Sequence, residues 1–167
     1  MKYAGILFAM AILICTGCAH VISDESMRLV DQSISFAMLK ENPDKYIGRY
    51  VLLGGSVASL RNDKHGSRIE VVQFELNIDD SPDPWSHSGG RFLAETPTFI
   101  DPYVFKSNRL VTVVGEVKGH KTLPLGEIDY DYPVLAIREI HYWKMRDVAY
   151  YPYPYYYYPP YPYYYWW

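Results

Sequence analysis

The apolar positions of this chain change period several times, and the changes predict mostly strands. An uncharged, largely apolar run fills residues 4–17, and residues 19–33 are polar and mixed. Over 34–40 the apolar positions fit a short helix, with Ser33 or Ser35 as its N-cap and Pro43 as its stop. From residue 50 the pattern turns to β. Residues 50–60 are rich in Val and Leu, 68–76 alternate, 91–95 form a brief third strand, 110–117 the clearest one, and 134–144 a fifth. Gly54-Gly55 predicts a bulge or sharp bend in the first strand, a phase slip at Val71-Val72 predicts a bulge in the second, and Gly115 interrupts the fourth. Between the third and fourth, Asp101 and Pro102 suit the N-cap and first position of one helical turn over 101–105.

Three strands, a short helical turn and two more strands is the order of an OB-like barrel. Mid-strand glycines are what bending strands into so small a barrel requires. The expected fold is therefore all-β: a small OB-like antiparallel β-barrel over 34–147 with one or two short helices. An open β-sandwich is the alternative. A stretch of about 110 residues is enough to bury one core.

The two ends of the chain are different material. Lys2 followed by the apolar run is too short for a bilayer-spanning helix, which needs roughly 20 apolar residues, and fits a signal-peptide core over 1–17. The run closes on Cys15-Thr16-Gly17-Cys18, which resembles the bacterial lipobox, with Cys18 as the acyl acceptor. Cys15 stands where leucine is commoner, and the bulky, β-branched Ile14 before it disqualifies it as acceptor. Cleavage would remove Cys15 and leave no pair for a disulfide. Acylation adds about 0.8 kcal/mol of membrane affinity per buried CH₂, so two or more chains hold a protein at the bilayer stably. Ala19 replaces the Asp that commonly retains Gram-negative lipoproteins in the inner membrane, so the expected location is the outer membrane. Residues 18–33 then read as a lipidated tether. At the other end, 148–167 is a low-complexity tail, and from Tyr150 it contains only Tyr, Pro and Trp. Five prolines in those last 18 residues favour extended conformations over a packed core.

Charge and composition narrow the chemistry. Loss of residues 1–17 leaves 15 basic residues against 19 acidic ones, an unsuitable balance for nucleic acid. His20, His65, His87, His120 and His141 show no metal-ligand spacing, although His141 lies on a strand face beside Trp143 and could line a surface groove. Asp79, Asp80 and Asp83 share one loop but lack the spacing and terminal Glu of a calcium loop, so a solvated turn explains them more simply. Glu70 and Glu75 are conceivable as a glycosidase pair, yet outward polar positions on an alternating strand account for them. No nucleophile elbow, P-loop or dinucleotide fingerprint occurs. The expectation is no enzyme, no cofactor and no metal site. Trp85, Tyr103, Tyr130 and Tyr132 are candidate sugar platforms, with packing as the simpler reading. In the tail, Tyr151, Tyr155, Tyr158, Tyr163, Trp166 and Trp167 are candidate interface residues, because Tyr and Trp favour the membrane–water boundary.

Between about Cys18 and Asp147 the chain resembles the Slp family of Gram-negative outer-membrane lipoproteins. The resemblance is carried in order by Asn42-Pro43 with Tyr46-Ile47-Gly48, Gly54-Gly55-Ser56-Val57, Ile69-Glu70-Val71, Gly90-Arg91-Phe92-Leu93, Asp101-Pro102, the run from Arg109 to Gly119, Tyr132-Pro133 and Tyr142-Trp143. It implies a starvation- or stress-associated envelope lipoprotein and supplies no catalytic residues; the tail departs from it. The function expected is a structural or interaction component of the cell envelope, bound to the membrane through its N-terminal lipid and contacting an envelope protein or peptidoglycan. A binding module for an oligosaccharide or small ligand on the barrel face is the alternative, and a hydrolase comes third.

Overall fold

Strand β1 (Tyr50–Asp63) is the Val/Leu-rich run, and it bends so that its two halves serve different neighbours. Its first half pairs antiparallel with β4 (Leu110–Leu125) from Tyr50/Glu116 to Ser56/Leu110. Its second half pairs with β2 (Gly66–Phe74) from Gly54/Phe74 to Asp63/Gly66. β2 continues to β3 (Gly90–Thr96), and β4 to β5 (Ile128–Tyr142). A parallel seam of three residue pairs, Leu93/Val134 to Glu95/Ala136, closes the barrel in the order β1-β2-β3-β5-β4. That order is OB-like, and closure excludes the open sandwich. The structure is a computed structural model that describes residues 21–144. The signal-like run, Cys18, and the tail with Tyr151, Tyr155, Tyr158, Tyr163, Trp166 and Trp167 lie outside the described residues.

The bends arise differently from expectation. Gly54-Gly55 is not a bulge, since pairing runs unbroken through both; the register shift falls at Ala58, between Val57 and Ser59. The glycines instead permit close approach. A Cβ on Gly55 would sit 1.9 Å from the Val72 carbonyl oxygen, and one on Gly54 would sit 2.3 Å from Leu76 Cδ2. β2 shows no phase slip either. Ser67, Ile69, Val71 and Gln73 alternate inward without a break, and Gln73 is tolerated there because its amide bonds to Phe74 O and Gly89 N. The irregularity expected at Gly115 is present, with Arg138 as the extra residue on β5.

Val51, Leu53, Val57, Ile69, Val71, Phe92, Ala94, Val111, Val113, Val117 and Leu135 fill the interior. Burying a side chain such as Phe92 contributes about 1.5–3 kcal/mol. Helix α2 (Phe36–Glu41), following α1 (Asp24–Met27), starts at the N-cap Ser35 and closes one end of the barrel with Phe36 and Leu39. The Phe36 ring tilts onto Phe92 at 6.2 Å. Ile100 closes the other end, where its N–H donates to Ser67 Oγ. Pro43 does not merely stop α2; it opens a 3-10 helix, Pro43–Tyr46. The turn after Asp101 forms, its carbonyl accepting from the N–H groups of Val104 and Phe105.

Two segments depart from the sequence reading. β4 and β5 run beyond the barrel as a two-stranded arm, turned by Gly126 (φ +64°) and Glu127. The stretch read as a free tether is docked from Ile22 onward. Ile22 and Ser26 are buried, Val30 forms a parallel bridge with Tyr50, and the Asp31 N–H donates to Tyr50 O.

Candidate functional site

The arm folds back over the outer face of β2 and β3 and creates a cleft of about 230 Å³. Leu93 points outward from β3, yet it is buried, because the arm lays Tyr132, Tyr130 and Leu123 around it as a small second core with Val134. Ser59 and Arg61 of β1, Arg68 and Glu70 of β2, and Leu123 and Pro124 of the arm complete the walls. Strand alternation explains the mixture: polar residues alternate with the core residues of β1 and β2, and Tyr130 and Tyr132 share one side of β5.

The charged groups of this cleft are engaged with one another. Glu70 accepts from Arg91 Nη1 at 2.7 Å, Ser59 Oγ at 3.1 Å and Tyr132 Oη at 3.2 Å. In a neighbouring hollow of about 370 Å³ that shares Arg68 with the cleft, Glu95 accepts from Arg68 Nε at 2.6 Å and, through both oxygens, from Lys121 Nζ at 2.8 Å. Burial alone would raise the pKa of Glu95, but the hydrogen bonds and charges of Lys121 and Arg68 outweigh it and hold the carboxyl below its usual value. Burial, then the charge and hydrogen bond of Glu70, push the Tyr132 phenol above its usual range, with Arg91 working the other way. At neutral pH one group is fixed as an anion and the other as a neutral phenol. Arg61 is exposed and forms no ion pair among the described residues.

The outer face of β1, β4 and β5, around the barrel from the cleft, is covered by two other segments lying in adjacent cross-strand rows. In one row, Gly54, Thr112 and His141 are paired neighbours. The loop between β2 and β3 crosses it, with Asp80 O accepting from Thr112 Oγ1 at 2.6 Å and Pro82 over Gly54. Trp143 packs edge-on to His141 at 4.9 Å and donates its indole N–H to Thr112 Oγ1 at 3.0 Å. In the next row, Leu52, Val114 and Glu139 are neighbours. There Ser23 donates its N–H and hydroxyl to Glu139, and α1 adds a Glu25–Arg138 ion pair.

The residues singled out in the sequence are dispersed. Tyr130 and Tyr132 lie together at 4.6 Å under the arm, whereas Trp85 and Tyr103 stand exposed on separate loops, so the four do not form one sugar platform. Glu70 sits in the cleft while Glu75 lies past the end of β2. Asp79 accepts from Ser81, Asp83 from the Trp85 N–H, and Asp80 is buried. Among the described residues no group of three or more His, Cys, Asp or Glu is placed to hold a metal ion. His141 packs against Trp143 under the loop, and His120 pairs with Asp44. The sequence reading missed Arg61, Arg68, Leu123 and Pro124, whose proximity depends on the arm folding back.

The class these features define is an all-β, OB-like barrel whose exposed surface, and not its interior, is available for interaction. The chain belongs to the outer membrane lipoprotein Slp family, whose model matches residues 15–167. It is 27% identical to the outer membrane protein Slp of Escherichia coli K12 over 115 residues, 69% of this chain and 61% of that protein. With the uncharacterized lipoprotein YeaY of the same organism it shares 26% identity over 148 residues, covering 89% of this chain and 76% of YeaY. The match thus spans about three fifths of the first relative's length. Among solved structures, a small single-stranded DNA-binding protein from Streptomyces coelicolor superposes with a TM-score of 0.35 at 13% identity, over 58% of this chain and 95% of that one.

Proposed function

We propose that this outer-membrane lipoprotein is a non-enzymatic interaction component of the envelope, made as a precursor that loses residues 1–17, acylated on Cys18 and serving under starvation or stress. The observation that carries this reading is the filled barrel together with a cleft whose charged groups, Arg61 apart, are engaged by neighbouring side chains, Glu70 by Arg91 and Arg68 by Glu95. Glu95 and Tyr132 have pKa values displaced away from neutrality, the opposite of what a proton-transfer catalyst needs. Neither a metal nor a cofactor enters the proposal, and the acidic balance speaks against nucleic acid as partner. The tail, with its Tyr and Trp side chains, is the segment assigned to an envelope protein or peptidoglycan.

The test has two arms. Cys18→Ser should abolish labelling by radioactive palmitate and release the protein from sedimented membranes; a variant that is still cut and still sediments overturns the anchor. Deleting residues 150–167 should remove the cross-linked partners recovered from whole envelopes, and an unchanged set of partners overturns the role of the tail.

A second reading rests on Arg61. A guanidinium with no ion pair among the described residues, at the mouth of a cleft floored by Leu93, could take the carboxylate of an acidic sugar or a peptidoglycan fragment. The volume of about 230 Å³ is below the usual ligand-pocket range of roughly 300–1,000 Å³, which ranks it second. Titration with soluble muropeptides, reading the amide resonances of Arg61 and Leu93, separates the two: perturbed resonances support the binding module, and no perturbation leaves the interaction reading alone.

A further inference from the structure

We propose that the barrel lies on the bilayer in one fixed orientation, with the outer face of β1, β4 and β5 toward the lipid and Ile78 and Trp85 inserted among the headgroups. The occupant of this face is the membrane surface itself. The inference rests on Cys18 carrying the anchor.

Three independent placements converge on that face. First, only Ala19, His20 and Val21 separate Cys18 from the buried Ile22, beside the Ser23–Glu139 contact. Four residue steps span at most ~14 Å. A domain of this length has a radius of gyration of ~14 Å, so its far side lies roughly twice that distance from the near one, and the leash is too short for the barrel to roll over. Second, Trp143 is seated on Thr112 of the same face, so the chain also leaves toward residue 145 from there. Third, the loop over Thr112 presents Ile78 at 98% exposure and Trp85 at 81%.

That third placement serves no packing among the described residues. A fully exposed Ile contributes nothing to the fold, and an exposed indole is at its most favourable where water meets hydrocarbon. The neighbouring acids do not oppose the contact strongly. Asp79 and Asp83 carry charge, but their oxygens are held within the loop, by the Ser81 hydroxyl and N–H and by the Trp85 N–H. Asp80 is buried, so it is Ile78 and Trp85 that reach outward. The contact is therefore apolar and should need neither anionic lipid nor low salt. Phe99 and Tyr103, also exposed, follow β3 near the β1–β2 turn, where Asn62 bonds Ile100 O; they lie at the barrel end that Ile100 closes, on a segment whose Phe105 packs on Tyr142 at 5.6 Å, and not in the loop over Thr112. The cleft at Arg61 then faces away from the membrane.

The test uses the full acylated chain in vesicles of phosphatidylethanolamine, with and without phosphatidylglycerol. Ile78→Cys, Phe99→Cys and Arg61→Cys variants are each labelled with an environment-sensitive fluorophore, and Ile78 is exposed enough that its replacement leaves the fold intact. The expected result is quenching by a lipid-phase nitroxide several-fold stronger at position 78 than at 99 or 61, in both lipid mixtures and at high salt. Vesicle flotation is read in parallel. Protein that floats while position 78 reports water, or while 61 or 99 is quenched as strongly, overturns the orientation alone. Protein that fails to float overturns the anchor and the orientation with it.

Discussion

The barrel is covered from outside twice, and the two covers are held by different chemistry. The arm over β2 and β3 is held by carboxylates, guanidinium groups and a phenol at half-buried positions around Leu93. The cover over β1, β4 and β5 is held in one row by a fully buried threonine hydroxyl shared between a tryptophan and a loop carbonyl, and in the next by Ser23 and Glu25 on Glu139 and Arg138. Half-exposed ion pairs are worth about 0–1 kcal/mol each and respond to pH and salt. Buried hydrogen bonds respond to neither and cost more to lose. The arm is therefore adjustable and the Thr112 row of the second cover is permanent, whereas the row that docks Ser23 and Glu25 on Glu139 and Arg138 shares the sensitivity of the arm.

Four measurements would break or sharpen this contrast, from the largest effect to the smallest. Gly55→Ala should destabilise by about 3 kcal/mol in urea titration, because its Cβ meets the backbone of Val72 inside the barrel that both covers rest on; a change below about 0.5 kcal/mol, the level of an inert surface substitution, would refute the close approach. Thr112→Val should cost about 2 kcal/mol, leaving the Trp143 indole and Asp80 carbonyl without their partner. It should also hasten proteolysis within the loop between β2 and β3, and unchanged cleavage would show that the loop is held some other way.

Glu95→Gln should cost up to about 1 kcal/mol at neutral pH, discounted for solvent access. Because the pKa of Glu95 is lowered on folding, its contribution is present above the unfolded value of about 4.3 and is lost as pH falls through the folded value. Wild type and variant should thus converge under strongly acidic conditions; a gap that persists there assigns the loss to packing. Asp44→Asn should have the smallest effect. The Asp44 hydrogen bond, then its charge, raise the pKa of the exposed His120, so the pair contributes below the ordinary histidine value of about 6.5 and fades as pH rises through the raised one. Titration of His120 by NMR should show its pKa falling back, with no resolvable change in thermal midpoint.

Most of the barrel was legible because its strands bury one face, and a buried face writes itself into the sequence as alternating Val, Ile and Leu. Ser35 and Asp101 were legible because a cap requires a short oxygen-bearing side chain at one position. What stayed hidden lies where polar atoms do the packing. Gln73 broke the apparent alternation because its amide is satisfied internally. Residues 22–31 read as a tether because Ser23, Glu25 and Asp31 dock through hydrogen bonds and ion pairs. The arm was cut short at Val117 because beyond it the strands carry Lys, His, Thr and Asp, and only Leu123, Tyr130 and Tyr132 serve its small second core, too few to write a pattern. The cleft depends on that arm, so it was invisible as well.

Closure of the sheet carries a consequence for a chain held at a surface by the proposed anchor on Cys18. Tethered copies share a thin layer, where they meet at far higher local density than free ones, and an open strand would invite neighbouring copies to add to it. Here the seam between β3 and β5 spans only three residue pairs, and just outside it the Arg91 N–H is occupied by the Tyr130 hydroxyl at 2.9 Å. A single phenol thus seals the end of the shortest junction, so among the described residues the closed part of the sheet presents no open strand to a neighbouring copy, and only the arm beyond it keeps free edges.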